Sequence, residues 1–256
     1  MEPVSQDSDF PYRKNIRLDI EYDGTDFYGW QRQRGVLPTL QGTLEAALCR
    51  VLRQQIVITA AGRTDRGVHA RFQVVNFMAE SPIGLFRMVH SLNCLLPVSV
   101  RVIAARFVAP DFHARFSARE REYRYFLLER PSALRQRFTG CSNGALDIVP
   151  MRRAARLLYG EHDFRAFAKE PAERPSTFCR VTACTWERYD DDTLVFTVRA
   201  NRFLRSMMRM LVSAMSAVGR NKMAPGDILL ALRSGRLPMP LIPAEPSGLF
   251  LWEVSY

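Results

Sequence analysis

Ile56-Val57-Ile58-Thr59-Ala60-Ala61-Gly62-Arg63-Thr64-Asp65-Arg66-Gly67-Val68-His69-Ala70-Arg71-Phe72-Gln73-Val74-Val75-Asn76-Phe77 sets a short polar segment between two strand-like runs. The apolar run Ile56 to Thr59 reads as one strand and the alternating run Phe72 to Met78 as another. The residues between them are therefore a connection, with Gly62 and Gly67 free to turn on either side of Asp65. A hairpin turn in which Asp65 merely caps its own backbone is the plain reading. It has no need of Arg63, Arg66 and His69, and their crowding around one carboxylate points to a chemical site.

Outward from this loop, the chain reads as alternating strands and helices. Ile16 to Tyr22 alternates as a half-buried strand, and Asp23-Gly24-Thr25 turns it into the aromatic loop Phe27-Tyr28-Gly29-Trp30-Gln31. Leu40, Leu44, Ala47, Leu48, Val51 and Leu52 recur at helical spacing behind Thr39 or Thr43 as the cap. A helix over Ile83 to Leu92 and a strand over Val98 to Phe107 complete the first half. The second half gives a strand over Glu120 to Leu128, a helix over Met151 to Tyr159, strands over Val181 to Tyr189 and Leu194 to Ala200, and a long helix over Phe203 to Val218. This order predicts an α+β protein of two similar halves, 16–115 and 116–256, after a flexible segment 1–15. Antiparallel sheets would join into one extended sheet with helices on one face. Pro- and Gly-bearing stretches at Gly140 to Pro150, Lys169 to Ser176 and Gly235 to Gly248 read as loops.

The chain's 256 residues, 47% of them apolar, are enough for one large core or two modest ones. A formal charge of +10 and a pI near 9.8 draw it toward a polyanion, and only three of its 36 basic residues are lysine. Arginine's planar fork suits phosphates and bases, although a GC-rich genome gives the same bias. No apolar run is long enough to span a membrane, and the acidic start is unlike a signal peptide. Five cysteines without a C-x-x-C pair and four histidines without zinc spacing predict reduced thiols, no metal and a cytoplasmic protein.

Two further segments carry candidate chemistry. On the strand from Glu120, Arg119, Arg121, Tyr123 and Tyr125 fall on one face, a pattern that serves either base stacking with phosphate contacts or ordinary cross-strand packing. On the long helix, Arg202, Arg205 and Arg209 share a face, flanked by Met207, Met208, Leu211 and Met215.

Taken together, the segments resemble the tRNA pseudouridine synthase A family. The resemblance rests on Tyr22-Asp23-Gly24-Thr25 with Gly29-Trp30-Gln31, Gln41 to Glu45, Gly62-Arg63-Thr64-Asp65 with Gly67 to Ala70, and Asp111 to Ala118. Arg121 to Tyr125, Asn201 to Leu204 with Met208-Arg209, and Gly248 to Leu251 complete it in family order. It implies isomerisation of uridine to pseudouridine in the tRNA anticodon stem-loop, at about positions 38, 39 and 40, on a base taken out of its stack. It implies no cofactor, and a homodimer in which one subunit grips the tRNA while the other reacts. Asp65 matches the family's nucleophile, Arg209 its partner arginine, Arg63 the arginine implicated in flipping the nucleotide, and Tyr123 the tyrosine at the base. Arg66, His69, Arg121, Arg205 and Leu249 are further candidates for substrate contact. Arg66, Phe72 and the Pro246-Ser247 insertion depart from the pattern. The alternatives are a non-catalytic RNA-binding or tRNA-chaperone protein on the same fold and, more distantly, a metal-independent hydrolase using Asp65 and His69.

Overall fold

The computed structural model describes residues 13–33, 35, 37–80, 83–169 and 176–256. Most of the flexible segment expected at 1–15 and most of the Lys169 to Ser176 loop lie outside them; Lys14 and Asn15 already belong to a strand.

The first half runs β1 (Lys14–Tyr22), α1 (Leu40–Leu52), β2 (Thr59–Ala60), β3 (His69–Ala79), α2 (Leu85–Leu95) and β4 (Val100–Phe107). The second runs β5 (Glu120–Leu128), β6 (Gly140–Cys141), α3 (Ile148–Arg156), β7 (Gly160–Asp163), β8 (Phe178–Asp190), β9 (Thr193–Ala200), α4 (Met207–Gly219), α5 (Pro225–Ser234) and β10 (Leu249–Ser255). One sheet takes the order β4-β1-β3-β10-β5-β9-β8-β7, with β2 on β3 and β6 on β5. Within each half the main strands lie fourth-first-third-second: β4-β1-β3-β2, then β10-β5-β9-β8. The two halves are therefore the same β-α-β-β-α-β unit twice, as the sequence order implied. The seam between them is a parallel pair, β3 with β10, Phe250 opposite His69 and Leu251 opposite Ala70. The main strands are antiparallel inside each half, β6 joins β5 in parallel, and the sheet is mixed overall.

Local chemistry explains the elements. Thr39 caps α1 by accepting the Gly42 N–H, and Leu40, Leu44 and Leu48 face the core that Ile16, Leu18 and Ile20 of β1 share. The connector after β4 crosses the sheet on two asparagines. Asn15 Nδ2 donates to the Ala109 and Phe112 carbonyls at 3.0 and 2.8 Å, and the Ala114 N–H donates to Asn76 Oδ1 at 2.8 Å. Both amides are buried, so each bond replaces hydration that folding removes.

Several sequence expectations are revised. The strand expected over Ile56 to Thr59 shrinks to the two residues of β2, since the N–H groups of Ile56 and Ile58 are taken by Cys49 Sγ and Glu45 Oε1. β3 starts at His69, so the connection is shorter than it looked and His69 is a strand residue. The long helix begins at Met207 instead of Phe203, because Ser206 takes a left-handed conformation with φ 61° and interrupts the helical path. Arg202 and Arg205 thus lie before α4, and the stripe expected with Arg209 does not exist. α5, β7 and β10 went unread. The first had a clear signal, Pro225 in its first turn and Gly235 with φ 71° after its last.

The face carrying Arg121, Tyr123 and Tyr125 is also different in kind. These side chains are 8%, 8% and 1% exposed, on the buried side shared with Val198 and Phe196 of β9. Glu122, Arg124 and Phe126 point the other way, with Arg124 lying over the Trp252 ring. No row of open stacking platforms exists on β5. What β5 contributes is one tyrosine delivered to the seam between the halves.

Candidate active site

The Asp65 loop is held from all sides at its backbone. The Trp30 N–H donates to the Thr64 carbonyl at 3.0 Å, and Gln73 Nε2 donates to the Gly62 carbonyl at 2.8 Å. Tyr22 and Thr64 hydroxyls meet at 2.9 Å, and the Val68 N–H closes a turn onto the Asp65 carbonyl. Gly67, at φ 76°, allows that turn. A Cβ there would also lie 3.0 Å from Pro246 Cγ, which places Pro246 against the loop. Ser247 is itself tied down, its hydroxyl donating to the Thr139 carbonyl. Gly24 has a different constraint: a Cβ would overlap the Val68 carbonyl oxygen at 2.0 Å, so the aspartate-glycine turn after β1 must be glycine to approach the loop.

This scaffold presents a carboxylate from one half to donors from the other. Asp65 Oδ2 receives Arg209 Nη1 and Ser206 Oγ, both at 3.3 Å, across the seam. Among the described residues no donor lies within hydrogen-bond distance of Oδ1. Arg209 is positioned in turn by the closing segment, its Nε donating to the Ala244 carbonyl at 2.6 Å while its own carbonyl accepts the Ala244 N–H. Side-chain exposures of 34% for Asp65 and 20% for Arg209 leave the pair partly screened and accessible from one side.

Tyr123 borders the same loop: a Cβ on Gly62 would be 3.5 Å from its hydroxyl oxygen. Phe203 braces its ring edge-on at 4.8 Å between centroids. Burial pushes the phenol up to about 12, opposed by the Arg121 charge and reinforced by that of Asp65. It is therefore a neutral O–H donor throughout the physiological range.

The other expected site residues sort by what they touch. Arg63 and Arg66 are exposed on either side of Asp65. The Arg66 guanidinium lies over the Tyr28 ring, 4.2 Å from its centroid, and neither arginine has a carboxylate partner among the described residues. Arg205 is exposed, its carbonyl receiving the Lys169 N–H. Leu249 is buried opposite Tyr125 on β10. Arg121 is turned inward. Its guanidinium donates to the carbonyls of Ala61 (3.0 Å), Ala118 (3.1 Å), Asn201 (2.9 Å) and Arg115, so it joins the Asp65 loop, the connector and the approach to α4. His69 is also enclosed, stacked on Phe250 at 4.7 Å with Phe138 tilted against it at 5.2 Å. Burial lowers its pKa against the pull of Asp23. Its Nδ1 then accepts the Gly24 N–H at 3.1 Å as a neutral ring, and Asp23 at the same distance is a neighbour more than an ion-pair partner. The structure thus brings Asp65, Arg209, Tyr123, Arg63 and Arg66 together at the seam, and places Arg121 and His69 behind them as supports. Ser206 and Tyr28 were missed. Tyr28 was legible in the aromatic loop, whereas only the break in the helix marks Ser206.

A carboxylate from one half meets an arginine and a tyrosine from the other, with the exposed Arg63 and Arg66 beside them in the loop. Residues 20–117 and 154–256 match the model of a family described as tRNA pseudouridine synthase. A tRNA pseudouridine synthase A of Chlorobium limicola is 60% identical over 243 residues, covering 95% of this chain and 100% of its own. Those of Chlorobaculum tepidum and Thermoanaerobacter sp. are 50% and 34% identical, each over 95% of this chain. Among solved structures, an archaeal box H/ACA sRNP Nop10-Cbf5 complex overlaps 91% of the chain and 46% of its own at 14% identity with a TM-score of 0.39, too remote to bear on the site. The chain belongs to the tRNA pseudouridine synthase family. It is an isomerase that converts uridine to pseudouridine, and its partner is RNA.

Proposed function

We propose that the chain modifies uridines of the tRNA anticodon stem-loop, at about positions 38, 39 and 40, on bases flipped from the stack, with Asp65 as nucleophile. The observation that carries the assignment of Asp65 is its asymmetric environment: one oxygen accepts from Arg209 and Ser206, while among the described residues the other has no hydrogen-bond donor, in a loop that Tyr123 borders. The reaction breaks the N1–C1′ bond, turns the uracil and rejoins it through C5; C5 loses its proton and N1 ends protonated, so no atoms are gained or lost. Oδ1 bonds to C1′ as the N1–C1′ electron pair leaves with the uracil, and is displaced when C5 bonds to C1′. Arg209 balances the carboxylate charge in a partly dry site. Tyr123 offers a ring face and an O–H to the base. Arg63 and Arg66 receive the phosphates on either side of the flipped nucleotide, and the exposed Arg205 meets RNA farther along the seam. Leu249 lines the apolar floor beside Tyr125. Arg121 and His69 serve the substrate through the loop they hold.

The same reading makes the protein a cytoplasmic homodimer in which one subunit grips the tRNA body and the other reacts, with 16–115 carrying the Asp65 loop and 116–256 carrying Tyr123 and Arg209. Mapping pseudouridine in tRNA after incubation with the purified protein tests it. Modification confined to the anticodon stem-loop is expected; modification elsewhere in the tRNA overturns the choice of site. No helix among the described residues is long and apolar enough to cross a membrane.

A further inference from the structure

Ser206 has a backbone that its residue type disfavours and a side chain that reaches the reacting group. At φ 61° and ψ 4° it occupies the left-handed region, where a residue with a Cβ is held only by its surroundings. The surroundings are visible: the Lys169 N–H fixes the Arg205 carbonyl, Arg121 fixes the Asn201 carbonyl, and the Met210 N–H fixes that of Ser206. The outcome of the kink is that Oγ points across the seam to Asp65 Oδ2 at 3.3 Å, the oxygen that Arg209 also contacts.

We infer that Ser206 is a positioning residue for the isomerisation: with Arg209 it pins Oδ2 of Asp65, so that the carboxylate cannot rotate and Oδ1 is the oxygen presented to the nucleotide. A carboxylate held by a single donor can swing about its last bond and exchange its two oxygens. Two donors converging on one oxygen, Ser206 at the N-cap of α4 and Arg209 in its first turn, remove that freedom. Their partner lies on the other half of the molecule, so the contact also ties reactive geometry to closure of the seam. The strained residue is then explained by its role, since a helical φ at this position would start α4 earlier and carry the hydroxyl away.

The inference rests on Asp65 as the reacting carboxylate, and the test separates the two. kcat, KM for tRNA and Tm are measured for Ser206→Gly, Ser206→Ala, Ser206→Asn and Asp65→Asn. Glycine accepts φ 61° without strain, so Ser206→Gly is expected to keep or raise Tm while kcat falls about tenfold at unchanged KM, the scale of one hydrogen bond to a charged group. Ser206→Ala should show the same kcat loss. Ser206→Asn, which tolerates the left-handed region and carries an amide donor, should recover most of the rate. Native kcat in Ser206→Gly, a kcat loss that follows Tm across the set, or no recovery in Ser206→Asn overturns the inference. Turnover surviving in Asp65→Asn overturns the assignment beneath it instead.

Discussion

Replacing Arg121 with methionine separates the two roles that the sequence left open for it. The guanidinium is 8% exposed and serves four carbonyls drawn from the Asp65 loop, the connector and the segment before α4. Methionine fills much of the same volume without a donor. Each buried carbonyl left short of a partner costs about 1–3 kcal/mol, reduced where its second lone pair finds another donor or water. Relief of the cation's own desolvation, which already lowers its pKa, offsets part of the total. A net loss of about 2–4 kcal/mol follows, equivalent to a fall in Tm of roughly 4–16 °C for a chain of this size. Urea denaturation with a shared m-value measures it, and tRNA binding as a function of salt, well below Tm, completes the assay. A buried strut predicts lost stability with an unchanged salt slope. A loss below about 1 kcal/mol together with a slope reduced by about one phosphate contact would refute the buried-strut account.

Three other outcomes follow from the same geometry. Arg66→Ala should weaken tRNA binding and lower the salt slope by roughly 0.7–0.9; Tyr28→Leu, which removes the ring that Arg66 lies over, should weaken binding with the slope retained, and the double variant should be no weaker than Arg66→Ala alone. Gly67→Ala forces a Cβ onto a φ of 76° and against Pro246, and should lower kcat with a stability loss of about 1–2 kcal/mol, read by kinetics and urea titration. The Tyr123 phenol, pushed up to about 12 by burial, favours the folded state fully below about pH 10, and that contribution fades as the pH rises through 12. Tyr123→Phe should flatten the alkaline fall in stability across that window by up to about 3 kcal/mol. Tyr22, Tyr125 and Tyr256 are raised in the same direction, so part of the fall must persist.

The fold was legible to the extent that each element carried its own pattern. The alternation of Ile16 to Tyr22 and the helical spacing from Leu40 to Leu52 depend on neighbours a few residues away, and both appear where the periodicity put them. The doubled strand order was visible for the same reason. Register and partnership were not. Nothing local in Leu249 to Ser255 says that this strand inserts between β3 and β5, carrying Phe250 beside His69 and Leu251 beside Tyr123. The site divides along the same line. Asp65, Arg63 and Arg66 announce themselves by crowding within one loop. The alternation of β5 placed Arg121 and Tyr123 together correctly, but their face is decided by what covers it. Arg209 was found on a helix face that tertiary contacts then shortened, and the kink that removed Arg202 and Arg205 from that face is what brings Ser206 to the carboxylate.

Release of tritium from tRNA labelled at uridine C5 reads directly the proton that the rearrangement expels. The wild-type protein should release label as pseudouridine forms. An Asp65→Asn variant should fold with native stability, bind tRNA with an unchanged salt slope and release none above background. Substantial release by that well-folded variant would contradict the assignment of Asp65 as the group on which the chemistry depends.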